Sequence, residues 1–144
     1  MGVAAWLTRV WGGNKNSVLS IAVRYSYSLA PLGFGIWLAH FSFHFLTGCY
    51  TIVPVIQSAV GFLGEPRWGT PGLAPNVVQL FEFGFIVLGL LGSLLVSYAI
   101  AAADEVRPTR VFIVWAVLSV VIAAAAFWLM SQPMEMRAVT LGSG

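Results

Sequence analysis

Charge is what this chain has least of. Only 8% of its 144 residues are Asp, Glu, Lys or Arg, against roughly a quarter in soluble globular proteins, and 59% are hydrophobic. That excludes an ordinary water-soluble surface, and the net charge of +2 rests on too few groups to suggest nucleic-acid binding. Cysteine is nearly absent: Cys49 stands alone, which excludes an internal disulfide and an iron–sulfur cluster held by this chain by itself. There is no internal repeat and no polar low-complexity linker. A secretory signal is not expected either, since residues 1–10 carry only Arg9 and the Gly12-Gly13-Asn14-Lys15-Asn16 break comes too early for its apolar region.

What the chain does have is long apolar runs. About 20 apolar residues cross a hydrocarbon core of roughly 30 Å, so the expected fold is an all-α integral membrane protein of three transmembrane helices plus a short re-entrant or interfacial helix. Residues 1–22, with Trp6 and Trp11 beside Arg9, read as an interfacial N-terminus. Residues 23–47 form the first span, kinked at Pro31 rather than ended there, because a neighbouring helix or Ser26 or Ser28 can satisfy the freed backbone. Residues 48–76 make an extracytoplasmic loop whose apolar part, 51–63, is too short to span and is broken by Pro54 and Gly61. In the turn-rich part of that loop Glu65 and Arg67 can pair and Trp68 suits the interface. The second span, 77–103, follows Asn76 as a helix cap. A cytoplasmic hairpin at 104–109, a third span at 110–131 and an extracytoplasmic tail at 132–144 complete the reading.

The basic residues orient it. Arg9, Lys15, Arg24, Arg107 and Arg110 fall on one side and Arg67 and Arg137 on the other, five against two. The positive-inside rule then places the N-terminus in the cytoplasm and the C-terminus outside.

Both histidines, His40 and His44, lie in the first span at helical spacing i and i+4, hence on one face. An ionisable residue within a span is by default a functional-site hypothesis. Steps of three and four give the stripe Ser26, Ala30, Gly33, Trp37, His40, His44 and Thr47; the second span gives Gln79, Glu82, Ile86, Gly89, Ser93 and Ser97. These small and polar stripes are expected to face each other, with Glu82 level with the histidines, each roughly 8 to 10 Å below the outer end at about 1.5 Å per residue.

Three chemistries fit such a group. An imidazole can hydrogen-bond a quinone while Glu82 relays a proton. One histidine can ligate a haem or a chlorophyll-type magnesium, with Gly33 or Gly35 making room for the ring. Two histidines and one carboxylate can hold a metal ion. The plainer alternative is a His–Glu or His–Ser hydrogen bond that only fixes helix packing. The run Phe41, Phe43, Phe45 reads as lipid-facing or partner-facing packing, and 123–126 as a close-packed alanine face.

Several phrases carry a resemblance: Pro31-Leu32-Gly33-Phe34-Gly35, Trp37-Leu38-Ala39-His40, Phe43-His44-Phe45-Leu46-Thr47, Thr51-Ile52-Val53-Pro54-Val55, Gly64-Glu65-Pro66-Arg67-Trp68 and Gln132-Pro133-Met134-Glu135-Met136-Arg137. From about residue 25 to 137 the chain resembles the C-terminal membrane portion of bacterial polyferredoxin-type membrane proteins. These are relatives of the iron–sulfur membrane proteins that accompany nitrous-oxide reductase and cytochrome-oxidase assembly. The resemblance implies membrane electron transfer, yet the cluster-binding cysteine runs of that family are missing here. It therefore implies a detached membrane module whose partner, an iron–sulfur protein among the other membrane subunits, carries the clusters. The expected function is a small subunit of a respiratory or photosynthetic electron-transfer complex, not catalytic alone, with His40, His44, Glu82 and Trp37 near a quinone, haem or chlorophyll at the outer face. The alternative is a non-redox subunit that anchors or assembles a larger complex. Transport fits less well: Glu82 is the lone carboxylate within a span and no inverted repeat is present.

Overall fold

A computed structural model describes residues 1–13, 15–48, 75–104 and 107–132, with positions 52, 55, 56 and 59 between them. All regular structure among the described residues is helical: α1 (Gly2–Gly12), α2 (Val18–Ser26), a 3-10 turn (Tyr27–Leu29), α3 (Ala30–Gly48), α4 (Pro75–Asp104) and α5 (Pro108–Ser131). Three stretches are long and apolar enough to cross a membrane: Val18–Gly48, Asn76–Ala103 and Pro108–Ser131. Large apolar side chains such as Leu19, Leu80, Leu88, Leu95 and Trp128 point outward, the pattern of helices solvated by lipid. The chain is an all-α integral membrane protein, with α1 as a further, shorter helix.

The first span opens earlier than residue 23. Ser17 caps it, its hydroxyl accepting the Ser20 N–H at 3.2 Å, which satisfies one of the orphan donors of a helix start. Pro31 does not end it, and the helical stretch continues to Gly48. A proline ring crowds the carbonyl four residues back, here that of Tyr27, and the chain tightens into the 3-10 turn, with Ala30 N–H donating to Tyr27 O. Ser26 and Ser28 hydroxyls donate to the carbonyls of Val23 at 2.6 Å and Tyr25 at 2.7 Å. From the neighbouring helix, Ser93 Oγ accepts the Leu32 N–H at 3.0 Å. Pro75 opens α4, so Asn76 lies inside the helix instead of capping it. Proline suits that first position, where its missing N–H would have had no helical partner.

Two packing centres hold the bundle. At the first, α3 crosses α4 backbone to backbone: a Cβ on Gly35 would sit 2.5 Å from Phe85 O, and one on Gly89 2.8 Å from Pro31 O and 3.2 Å from Gly35 Cα. Small residues permit this approach, and with lipid outside it is van der Waals contact that drives it. Leu32, Ala39 and Ile86 pack there with Ala123, Ala126 and Met130 of α5. At the second, Trp115 of α5 stacks on Tyr25 with ring centroids 4.8 Å apart and donates its indole N–H to Thr8 Oγ1 at 3.0 Å; Thr8 donates in turn to Ala4 O at 2.9 Å. Gly12 lies against Val111 and Thr8 against Trp115, so α1 runs antiparallel along the first turns of α5. The stretch 1–22, expected at the interface, is therefore a docked helix followed by the opening of the first span, with Trp6 and Trp11 outward.

Of the expected re-entrant segment 51–63 only four positions are described, all helical, with Ile52, Val55 and Ile56 exposed. Cys49, the loop 64–72 with Glu65, Arg67 and Trp68, Glu105 in the hairpin and the tail from Pro133 lie outside the described residues.

Candidate functional site

α4 turns inward the face its sequence predicts. Glu82 is 1% exposed and Ile86, Ser93 and Ser97 are fully enclosed, with Gly89 buried among them. The opposing helix does not match. α3 buries Leu32, Gly35 and Ala39, while Gly33, Trp37, His40, His44 and Thr47 are exposed. With about 3.6 residues per turn these two sets lie on different sides of the helix, their centres roughly 130° apart. The expected meeting of the two polar stripes is thus overturned, and the reason is steric. Only Gly35 gives α4 the backbone clearance it needs; a side chain there would strike Phe85 O, whereas a Cβ on Gly33 meets nothing within 4 Å.

The correction has chemical consequences. Gly35 against Gly89, and Leu32 against Ser93, set a register that carries Glu82 to the height of Ser42, between His40 and His44. Yet the imidazoles lie on the exposed side of α3 while that carboxyl is buried. A direct relay from His40 or His44 to Glu82 is not formed, nor is the packing-only His–Glu bond. Among the described residues no group of three or more His, Cys, Asp or Glu could hold a metal ion, so the two-histidine, one-carboxylate centre is not assembled from these residues. Gly35 makes room for a helix rather than a ring.

The outward face of α3 has an organisation of its own. The His40 and His44 rings meet edge to face with centroids 4.8 Å apart and planes at 79°, and Phe43 flanks His44 at 5.4 Å. Trp37 stacks between Phe34 at 5.9 Å and Phe41 at 5.1 Å, an aromatic ridge beside the imidazoles. A neutral imidazole carries one N–H donor and one lone-pair nitrogen, and hydrocarbon satisfies neither. Ser42 and Thr47 meet that demand within their own helix, donating to Ala39 O at 2.8 Å and Phe43 O at 2.6 Å. Imidazole offers no such retreat to a backbone carbonyl for its lone pair.

Sequence spacing missed two buried polar contacts. Ser93 lies on the face of α4 that the spacing predicts, but it accepts the Leu32 N–H next to Pro31, on another helix. The Thr8–Trp115 bond joins residues far apart in the chain and has no local signature. Compared with family models, with curated proteins and with solved structures, the chain shows no match.

Proposed function

We propose that this chain is a small integral subunit of a multi-subunit electron-transfer complex, and that the His40–His44 face of α3 is where it meets a redox centre held near the outer side of the membrane. The centre is a quinone, a haem or chlorophyll-type ring, or a metal ion, and the clusters absent from this chain reside in an iron–sulfur partner, as the resemblance to polyferredoxin-type membrane proteins implies. The observation that carries the reading is the outward pair of imidazoles on a spanning helix. Polar rings facing hydrocarbon are costly and call for a partner, and the chain keeps them off its own helix contact. In this reading the membrane is the bacterial cytoplasmic one, with the N-terminus inside. Docking of α1 along α5 gathers the exposed Arg9, Lys15, Arg107 and Arg110 near one end of the bundle, where a cytoplasmic positive bias is expected.

A second reading is a non-redox anchor, because a purely protein partner can satisfy the exposed imidazoles by hydrogen bonds. The test uses the native complex isolated through this chain. Loss of a visible or redox-difference band, or of quinol-linked electron transfer, in His40→Ala or His44→Ala supports the electron-transfer reading. Unchanged spectra and electron transfer with loss of assembly support the anchor. A fully assembled, fully active complex in both variants contradicts both.

A further inference from the structure

The two imidazoles stand one helical turn apart on the same exposed face, with ring centroids 4.8 Å apart. We infer that His40 and His44 together chelate one redox-active transition-metal ion that accepts imidazole ligands (copper or iron), with the remaining ligands supplied by the partner subunit across the α3 face. This rests on the reading of that face as a redox or cofactor site and narrows its occupant.

Three observations lead there. First, histidines at i and i+4 of a helix can direct a nitrogen each to one ion, the arrangement used by helical zinc sites, and the side chains here already touch edge to face. Second, the alternative of a tetrapyrrole on a single imidazole is crowded on this surface. A flat ring laid across His40 would run against His44, about 6 Å further along the axis, and the Phe34–Trp37–Phe41 ridge rises at its flank. Chelation uses both rings, whereas axial ligation uses one and is obstructed by the other. Third, the pair supplies two ligands, while such ions ordinarily take about four, so coordination positions remain for groups from beyond this face. Two neutral imidazoles leave the charge of the ion uncompensated in a low-dielectric setting, where an unbalanced charge is expensive. The partner's contribution is therefore anionic, a carboxylate or thiolate.

The experiment measures metal in the intact complex isolated through this chain, by elemental analysis after a chelator wash, and follows the ligand-field spectrum after exchange with cobalt(II). His40→Gln and His44→Gln keep a polar side chain of similar reach, and helix content and complex recovery report folding. The expected result is about one ion per copy of this chain, falling at least tenfold in each single variant, with the cobalt spectrum lost in both. Equal metal content and an unchanged cobalt spectrum in wild type and both variants overturn the inference. So does loss of a porphyrin or chlorin band in only one variant, which marks a single axial ligand and leaves the electron-transfer reading standing. A metal that depends on both histidines in a complex with no redox activity keeps the chelate and removes the electron-transfer reading instead.

Discussion

Gly33 and Gly35 differ by two positions and play opposite parts. Gly35 lets α4 approach until a Cβ would lie 2.5 Å from Phe85 O and 3.0 Å from Gly89 Cα, contacts with backbone that cannot move aside. Gly35→Ala should destabilise the folded state by about 1–3 kcal/mol, the usual cost of overpacking, whereas Gly33→Ala, facing open space, should stay within about 0.5 kcal/mol of wild type. Unfolding in mixed micelles by denaturing detergent measures both, and equal effects would show that the α3–α4 crossing is misplaced. Thr8 supplies a second contrast. Thr8→Val keeps its shape but removes the acceptor for the buried Trp115 indole N–H, and leaving that donor unpaired costs about 1–3 kcal/mol. The same measurement on a Trp115→Phe background should lose most of that difference, because the donor is then gone.

Among the helices, α4 was the most legible and α3 the least. On α4 the residues that permit close approach, Gly89, Ser93 and Ser97, fall on the same face as the polar Glu82, so size and polarity gave one answer. On α3 they diverge: Gly35 and Ala39 mark one side, Gly33, His40 and His44 the other. In water the polar side would be turned out on principle, but in lipid neither side is favoured by hydrophobicity, and steric fit decides. Reading polarity as inward-facing therefore chose the wrong stripe. The local disturbance at Pro31, a 3-10 turn over Tyr27–Leu29, was legible because proline has a fixed local effect. The docking of α1 was not, since it depends on Thr8 meeting a tryptophan 107 positions away. That docking predicts its own test. Gly12 abuts Val111, with a Cβ at 2.5 Å from Val111 Cγ2, so Gly12→Leu should push α1 off α5. Amide exchange should then rise throughout α1 and remain slow in α3–α5, as expected when one peripheral unit opens independently. Unchanged exchange in α1 would mean that the helix does not depend on this contact.

As a whole the molecule is a thin bundle with two kinds of surface. Most of it is aliphatic and suited to lipid: Leu80, Leu88, Leu95 and Val121 project freely. The C-terminal half of α3 is different, combining an aromatic ridge with two imidazoles that lipid cannot serve. Three spans of this size bury few side chains among themselves, and the histidine face is where the proposed partner would complete the bundle. The account therefore depends on α3 presenting that face away from α4 and toward a second subunit. Site-specific photo-crosslinking in native membranes from position 41, where Phe41 is 54% exposed beside the imidazoles, tests this most directly, since it leaves both histidines intact. The account predicts a covalent adduct with a second polypeptide, in higher yield than from position 88 on the lipid-facing side of α4. Adducts with lipid alone, or with this chain's own α4, would contradict it.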